Sequence, residues 1–379
     1  MAGNSIGLWL RKWIKRLLIT INLLVALAFL ASCASPFIPP QSSIGWVFGM
    51  LALALPYLTT LLVFSVFFWL TIKPIWVLLP LLSLVIGYAQ IRNTWGFTAS
   101  SPKSKQKPSL RVAHWNVHSL TGISKNKERK QLARTEIARA LKETGAQILC
   151  LQEFNHRYNE PGSRADNLGL FTDTYPYYHF SKDFTRDSGN YASGCILFSK
   201  YPILASGKIP FRGKNPESVI FIDVLLPQGD TVRIHTTHMQ SFKFAERDYV
   251  DIEKIKLTDE ASVEASKGIA RKMKTAFQKR GIQADLVRAV LDTCPYIHCI
   301  TGDYNDVPTS YTYRKVKGYR QDAFLVNGFG LGRTYNDLAP TLRIDYIMPD
   351  TNFIVQKFQM KDEDLSDHVM LVADLFIKP

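Results

Sequence analysis

Eight polar side chains stand where apolar, strand-like segments of the sequence end. They are Asn116, Glu153, His238, Asp303, Asn305, Asp345, Asp367 and His368. Carboxylates, amides and histidines are the side chains that bind divalent cations through oxygen and that donate or accept protons during catalysis. Loops at the ends of strands place such groups on a rigid scaffold. We therefore expect these eight residues to form one catalytic centre.

The segment from Ile300 to Asp306 is the central part of this pattern. An apolar run ends in Gly302-Asp303, and Asn305 follows one residue later, which is typical of a buried strand that delivers an acid and an amide to a catalytic edge. A turn is the alternative interpretation, because Gly, Asn and Asp are turn formers and Pro308 follows. The other six residues at comparable strand ends favour catalysis.

Single residues of the set also admit structural roles. Asn116 fits a turn, His238 fits a buried core histidine, and Asp345 fits an ion pair with Arg343. Outside the set, His118 is interpreted more simply as a surface histidine than as a substrate contact. The joint order of the eight residues along the chain is what favours a catalytic centre.

The elements that must position these residues are read from apolar periodicity and turn residues. Helices are predicted at 127–143, 264–279 and 284–291. Strands are predicted at 110–116, 147–153, 177–180, 193–198, 219–226, 231–238, 343–348, 353–358 and 369–376, together with the strand that ends at Asp303. Hairpins with scattered helices predict two mainly antiparallel sheets packed face to face, with the helices outside.

The first 92 residues are almost free of acids and carry three apolar segments, at 17–34, 44–70 and 75–89. Four basic residues, Arg11, Lys12, Lys15 and Arg16, precede the first segment and predict a cytoplasmic N-terminus. Residues 1–92 are therefore predicted to be a membrane anchor of about three transmembrane helices. Three crossings place the rest of the chain outside the cytoplasm.

Cys33 offers a second interpretation of the N-terminal segment. Leu30-Ala31-Ser32-Cys33 matches the short pattern at a bacterial lipoprotein cleavage site. A transmembrane helix that ends in small residues is the favoured alternative, because two further apolar segments already anchor the chain. None of the five cysteines forms a C-x-x-C pair, and Cys294 and Cys299 would be bridged only in an oxidising compartment.

Residues 93–109 are polar, small and basic, and predict a flexible linker before a catalytic domain at 110–379. The net charge is +14, from 46 Lys and Arg against 32 acids, which suits anionic substrates or a membrane surface. Much of this excess lies in the N-terminal leader and the linker. Charge therefore does not choose between the two partners.

Between residues 110 and 378 the sequence resembles the endonuclease/exonuclease/phosphatase superfamily, which includes DNase I, abasic-site endonucleases, neutral sphingomyelinases and inositol phosphatases. The motifs that carry the resemblance are Trp115-Asn116, Leu151-Gln152-Glu153, Thr237-His238, Gly302-Asp303-Tyr304-Asn305, Arg343-Ile344-Asp345-Tyr346 and Ser366-Asp367-His368. The resemblance implies an α+β fold, the four-layer α-β-β-α sandwich of DNase I, here preceded by a transmembrane helical region.

The resemblance also implies a metal site. By similarity Glu153 is the principal Mg²⁺ ligand, Asn116 lies beside it, and Asp367 is a further contact. Mn²⁺ is a possible substitute for Mg²⁺. A divalent ion with hard oxygen ligands stabilises the negative charge that gathers on a phosphoester in its transition state.

The remaining five residues resemble the catalytic groups of the superfamily. Asp303 corresponds to the residue that orients or deprotonates the attacking water, and Asn305 to the one that holds this water and a phosphoryl oxygen. His368 resembles the histidine that donates to a phosphoryl oxygen, with Asp345 fixing its tautomer and raising its pKa. His238 resembles the second phosphate-facing histidine of the DNase I and sphingomyelinase branches.

Substrate choice is left open by this set, because it is decided in loops. The first hypothesis is a Mg²⁺-dependent phosphodiesterase of the bacterial inner membrane that cuts nucleic acid on the periplasmic side. The second is a phosphodiesterase or phosphatase for a lipid headgroup, because a short linker keeps the domain near the bilayer. A non-catalytic binding protein would have lost catalytic residues, and all eight are present.

Overall fold

The computed structural model of this chain describes residues 2–98, 109–123, 127–159, 166–213, 216–256 and 263–378. Residues 99–108 of the predicted linker lie outside the described residues. The α-helices are α1 (Ala2–Ala34), α2 (Gly45–Ile72), α3 (Leu78–Ile86), α4 (Tyr88–Thr94), α5 (Lys127–Glu143), α6 (Glu246–Lys256), α7 (Val263–Asp292), α8 (Tyr311–Lys317) and α9 (Ala323–Asn327). The strands are β1 (Gly96–Phe97), β2 (Leu110–Asn116), β3 (Ile148–Arg157), β4 (Tyr177–Phe180), β5 (Phe184–Arg186), β6 (Tyr191–Ser199), β7 (Ile203–Pro210), β8 (Ser218–Leu225), β9 (Thr231–His238), β10 (Ile297–Asp303), β11 (Phe329–Gly330), β12 (Asp345–Pro349), β13 (Phe353–Lys361) and β14 (Met370–Ile377).

Two N-terminal helices, at Trp9–Phe37 and Gly45–Ile72, are long and apolar enough to cross a membrane. The third predicted segment, 75–89, is not one straight helix, since Pro74–Ile86 and Tyr88–Thr94 meet at a 60° bend. The bend brings Gly87 against α1, where a Cβ would lie 2.3 Å from Phe29 Cζ. A glycine is therefore required for this close approach.

The described strands of the catalytic domain form two large sheets. One has the order β12-β10-β9-β8-β7, and the other has the order β13-β14-β2-β3-β6-β4, with β5 paired to β6. Parallel pairing occurs between β9 and β10 and between β2 and β3, whereas the other neighbours in the two sheets are antiparallel. This is the predicted arrangement of mainly antiparallel sheets.

Four layers follow from where the apolar side chains point. Successive residues of a strand face opposite sides, so Cys150 packs between the sheets while Leu149 packs toward α5. On the far side of the five-stranded sheet, Ile300 packs with Val287 of α7 and Tyr313 of α8. The order of layers is therefore α5, seven-stranded sheet, five-stranded sheet, and α7 with α8, which is the DNase I-like sandwich predicted from the sequence.

One continuous helix, α7, replaces the two helices predicted at 264–279 and 284–291. Gly281 does not end the helix. A Cβ at Gly281 would lie 2.4 Å from Gln41 Oε1, so the glycine admits the segment between α1 and α2 to the surface of α7. The same glycine that weakens a helix in sequence thus serves tertiary packing.

The first residues of the predicted flexible linker belong to the fold. Gly96–Phe97 pairs with Phe329–Gly330 in a two-stranded sheet. The carbonyl of Asn93 accepts a 2.7 Å hydrogen bond from Arg343 Nη2. The N-terminal helices are thereby tied to the catalytic domain before residue 99. All five cysteines, including Cys294 and Cys299, are free.

Candidate active site

The candidate active site is a pocket of about 230 Å³ where strand ends of the two large sheets meet. Six of the eight predicted residues line it: Glu153, His238, Asp303, Asn305, Asp367 and His368. The other two, Asn116 and Asp345, are buried and hydrogen-bonded to pocket residues. The structure therefore brings all eight predicted residues together.

Strand register aligns three of these residues across the five-stranded sheet. Asp303 ends β10 and is the register partner of His238 on β9 and of Asp345 on β12. The backbone N–H of Met239 donates to the Asp303 carbonyl at 2.9 Å, which continues the pairing just past the strand ends. These three side chains share one edge of the sheet because β9 and β10 end there and the antiparallel β12 begins there.

Glu153 is directed into the pocket by an irregularity of the other sheet. The pairing of β3 with β6 shifts register between Leu151 and Phe154, and Glu153 has a φ of 53°. A bulge of this kind re-aims a side chain at the edge of a sheet. A positive φ outside glycine is a strained conformation that is common at functional sites. Asn305, with a φ of 52°, is a second such residue in the pocket.

The Asp303 carboxylate contacts an amide, a backbone N–H and two histidines. Its Oδ2 accepts a 3.1 Å hydrogen bond from Asn116 Nδ2 and lies 3.5 Å from His238 Nε2. Its Oδ1 accepts from the backbone N–H of Asn305 at 2.9 Å. Burial and the nearby Asp345 raise the pKa of Asp303, against the lowering effect of the two histidines. His238 is also 4.0 Å from Glu153 Oε1, so its partners are two of the acids that line the pocket, Asp303 and Glu153.

His368 is held by a buried carboxylate on one ring nitrogen and faces Asp303 with the other. Its Nδ1 is 2.8 Å from Asp345 Oδ2, and its Nε2 is 3.7 Å from Asp303 Oδ2. Burial alone would lower the pKa of His368, but Asp345 and Asp303 together raise it to about 10. The imidazole is therefore protonated at neutral pH and carries an N–H on the side that faces Asp303.

His114 belongs to the same network and was missed by sequence analysis. It is fully buried on β2, and its Nε2 lies 3.0 Å from Asp345 Oδ1. Burial opposes ionisation of Asp345, yet His368 and His114 hold its pKa below the usual range. The only sequence signal was a polar residue inside an apolar strand, Leu110–Asn116, and polar residues buried in strands need a partner.

Asp367 and His118 form a second ion pair at the pocket. Their Oδ1 and Nδ1 atoms are 3.2 Å apart. The hydrogen bond to Asp367 raises the pKa of His118. Burial opposes ionisation of Asp367, but the bond to His118 lowers its pKa. His118, which the sequence favoured as an ordinary surface histidine, lines the pocket instead.

Arg343 and Asp306 lie outside the pocket and support it. Arg343 is buried and pairs with Asp322, so it does not face a phosphate. Asp306 is buried 3.3 Å from Arg280 Nε of α7, and its carbonyl accepts from Tyr346 at 2.9 Å. Asp306 therefore fixes the loop that follows Asn305, which agrees with the structural role expected from its place in a turn.

Apolar and aromatic side chains line the remainder of the pocket. They are Leu53, Phe242, Phe244, Tyr249, Val307, Tyr335, Leu338, Leu342 and Ile344. Leu53 belongs to α2, one of the two candidate membrane spans. The pocket thus has a charged floor, formed by strand ends, and an apolar wall to which an N-terminal helix contributes.

The donor set suits a hard divalent cation. Glu153 and Asp367 are carboxylates at the pocket surface, and Glu153 Oε1 is 3.2 Å from Asn116 Nδ2. Glu153 is 36% exposed, which leaves room for the water ligands that Mg²⁺ keeps. Among the described residues, Asp303, Asp345 and His368 also gather ligand atoms within 4.8 Å. Those three are buried and pair with each other, so they are less suited to a hydrated ion.

Comparison with known proteins gives two family matches. A model described as the endonuclease/exonuclease/phosphatase family matches residues 113–368, about two thirds of the chain. A model described as a domain of unknown function matches residues 15–94, the region of α1 to α4. No curated protein matches the chain.

Among solved structures, three similar ones have low sequence identity. An endonuclease/exonuclease/phosphatase from Beutenbergia cavernae is 18% identical, with a TM-score of 0.47 over 71% of this chain and 72% of that chain. The human Nocturnin catalytic domain with bound sulfate is 17% identical, with a TM-score of 0.49 over 72% and 95%. A mannosyl-6-phosphatase from Bacteroides thetaiotaomicron is 17% identical, with a TM-score of 0.46 over 71% and 100%.

Proposed function

We propose, from the premise that the chain belongs to the endonuclease/exonuclease/phosphatase family and is a phosphoester hydrolase, that it uses Mg²⁺ and acts at the outer side of a membrane. The observation that carries the proposal is the Asp303 carboxylate. It lies within 3.7 Å of an amide, Asn116, and of two histidines, His238 and His368, and lines the same pocket as Glu153. Such a group of acids, amide and imidazoles is what water activation against a phosphoester requires.

Glu153, Asn116 and Asp367 would hold the cation. Bound there, Mg²⁺ supplies positive charge to the phosphoryl oxygens and lowers the pKa of a coordinated water. In the structure the Asn116 amide nitrogen, not its oxygen, faces Glu153 and Asp303. Amide oxygen and nitrogen are assigned from such contacts, and a 180° rotation of the amide presents the oxygen as a ligand.

Asp303 accepts the proton of the attacking water. Its raised pKa makes it a stronger base than an ordinary aspartate, while Asn305 holds its Oδ1 in place through the backbone N–H. The Asn305 side chain donates one amide hydrogen to the Met239 carbonyl at 3.0 Å. Its second amide hydrogen is left for the water or for a phosphoryl oxygen.

His368 and His238 face the phosphoryl group from the other side. Asp345 occupies Nδ1 of His368, so the imidazolium donates from Nε2 to the negative charge that develops on a phosphoryl oxygen. His238, 20% exposed, lies between Asp303 and Glu153 and reaches the same volume. The groups proposed to activate the water and the histidines proposed to stabilise charge on the phosphoryl group thus meet at Asp303.

We also propose that residues 1–92 anchor the enzyme with its catalytic domain, 110–379, outside the cytoplasm. Lys15 belongs to α1, and Lys73 directly follows the C-terminal end of α2. The two like charges are close enough to affect each other, so the basic residues of α1 lie near this end of α2. The N-terminal half of α2 contacts the catalytic domain instead, through Ala52 and Thr309. The basic residues that are predicted to stay in the cytoplasm therefore lie near one end of α2, and the catalytic domain contacts the other end.

Full-length enzyme in detergent tests the metal and the reaction together. We expect hydrolysis of bis(p-nitrophenyl) phosphate or p-nitrophenyl phosphate with Mg²⁺, loss with EDTA, and recovery on adding Mg²⁺ or Mn²⁺. Glu153→Ala should weaken Mg²⁺ binding by calorimetry, whereas Asp173→Ala, which removes an exposed acid paired with Lys142, should not. Equal Mg²⁺ binding by wild type and Glu153→Ala would contradict the metal site.

Protease accessibility tests the orientation. Proteinase K added to intact spheroplasts should digest the catalytic domain, because the proposed topology places that domain on the outer face. Protection of the domain until the spheroplasts are lysed would show that it lies in the cytoplasm.

A further inference from the structure

One wall of the active-site pocket is made by a helix that is long and apolar enough to cross a membrane. Leu53 of α2 lines the pocket together with Val307, Leu338, Leu342 and Ile344 of the catalytic domain. α2 is therefore part of the site and not only a means of attachment. The pocket therefore shares a helix with one of the two candidate membrane spans.

The contact between α2 and the catalytic domain is fixed at several points. Thr309 Oγ1 donates to the Ala52 carbonyl at 3.1 Å, and both residues are buried. At Gly49 a Cβ would lie 2.9 Å from Phe277 of α7, so the helix and the aromatic ring are in close contact. Lys274 lies 5.4 Å from the ring centre of Trp46. Leu53 is therefore held in position beside the catalytic residues.

The charge of the pocket lining fits one phosphate better than a chain of phosphates. Among the described residues that line the pocket, the only Lys or Arg is Lys243, which is 3.8 Å from the Glu217 carboxylate. Nucleic-acid binding relies on several Lys and Arg contacts to successive phosphates. A lipid presents one phosphoester group next to an apolar body, which matches a charged floor beside the wall that contains Leu53.

We propose that the substrate is a phosphoester lipid of the membrane that holds α2. Its phosphate lies at Glu153, Asp303 and His368, and its apolar part lies against Leu53. Water forms the new bond to phosphorus, the ester P–O bond breaks, and the leaving oxygen takes up a proton. This inference rests on the hydrolase function proposed above and selects the lipid headgroup over nucleic acid.

The test uses full-length enzyme reconstituted into vesicles of phosphatidylethanolamine, phosphatidylglycerol and phosphatidic acid, with Mg²⁺ on both sides. The vesicles are then dissolved in detergent, and phosphorus NMR detects cleavage of the ester bond on either side of the lipid phosphate. The same preparation is assayed with bis(p-nitrophenyl) phosphate, p-nitrophenyl phosphate, and DNA and RNA oligonucleotides. Leu53→Ala is compared with Leu61→Ala, the same change at an exposed position of α2 that does not line the pocket.

We expect vesicle lipid to be hydrolysed faster than either oligonucleotide. The ratio of lipid to small-substrate hydrolysis should fall about tenfold in Leu53→Ala, as for the loss of part of one leucine contact, and should not change in Leu61→Ala. Leu53→Trp, which fills the wall instead of shortening it, should lower the ratio as well. Circular dichroism and the melting temperature in detergent report correct folding of each variant.

Four results would overturn the inference. Hydrolysis of a nitrophenyl ester without any change in vesicle lipid would reject the lipid and leave the proposed hydrolase intact. Faster cleavage of an oligonucleotide than of vesicle lipid would also reject the lipid and leave the proposed hydrolase intact. An equal ratio of lipid to small-substrate hydrolysis in Leu53→Ala and Leu61→Ala would have the same meaning. Failure to cleave any probe with Mg²⁺ or Mn²⁺ would reject the hydrolase proposal, and the lipid inference with it.

Discussion

Two histidine–carboxylate clusters stand at opposite ends of the same pair of strands. At the pocket end of β10 and β12, His368 lies 2.8 Å from Asp345 and 3.7 Å from Asp303. At the other end, His298 lies 3.5 Å from Asp350, which directly follows β12. Both clusters are buried, yet the pKa of His368 is raised and that of His298 is lowered.

A guanidinium accounts for the difference. Arg320 Nε donates to His298 Nε2 at 2.8 Å, so that nitrogen is an acceptor and the ring is neutral. Burial is the first cause of the lowered pKa of His298, and Arg320 adds to it. His368 has two acids and no guanidinium within contact among the residues that the structure describes. The same pair of residue types therefore gives a histidine with a raised pKa at one end and a histidine with a lowered pKa at the other.

Asp303→Asn and Asp350→Asn test the two ends directly. Loss of the proton acceptor at Asp303 should lower the turnover of a nitrophenyl phosphate about 1,000-fold. Asp350→Asn should keep turnover close to wild type and lower the melting temperature instead. Comparable loss of turnover in the two variants, measured on folded protein, would contradict the separation of roles.

Arg320→Met removes the cation of the structural cluster. It leaves buried acceptors on His298 and Val316 without their donor and should lower the free energy of unfolding by about 3 kcal/mol. Arg139→Met is the matched control, because Arg139 is exposed and its pair with Glu143 is worth little. If Arg320→Met had the same melting temperature as Arg139→Met, the cluster around His298 would not contribute to stability.

His368→Gln removes the imidazolium but keeps a side-chain amide at the pocket. Turnover should fall about 100-fold, the typical effect of losing one donor to the transition state. His298→Gln should leave turnover largely unchanged, since its ring faces Arg320 and the Tyr296 carbonyl. Unchanged turnover in His368→Gln would remove this histidine from the proposed mechanism.

The smallest expected effect is on stability in acid. Burial holds the pKa of His235, which packs 6.0 Å from the His298 ring, well below its usual value. The unfolded chain takes up a proton below about pH 6.5, so the stability present above that pH is lost as the pH falls. From pH 7 to 5.5 this costs about 1 kcal/mol for one buried histidine. In His235→Phe the melting temperature in detergent should therefore decline less over that range than in the wild type. An equal decline in the variant and the wild type would show that His235 is not the source of the acid sensitivity.

The eight candidate residues could be picked out from the sequence because most of them stand at or beside an end of an apolar strand, within a short motif. Asp303 and Glu153 are visible in Gly-Asp-Tyr-Asn and Leu-Gln-Glu. The roles of the eight residues stay predictions, since the geometry shows only that they meet. His114 was missed because its partner, Asp345, is 231 residues away and only strand register brings the two together.

Contacts between distant segments account for the other differences. Two helices were predicted where the continuous α7 lies, and Gly281, in the gap between them, admits Gln41 to the helix surface. Gly87 has the same relation to Phe29 at the bend of the third apolar segment. A glycine in a sequence shows that space is needed, but not which segment occupies that space.

The docking of α2 has a consequence for how the enzyme matures. α2 precedes the catalytic domain along the chain, so in the proposed topology it is in the bilayer before the domain has been synthesised. The domain then folds against a helix already in place, with Thr309 bonding to Ala52 and Arg343 to Asn93. In that topology a chain whose α2 did not insert would lack one wall of its pocket, so activity would depend on membrane insertion.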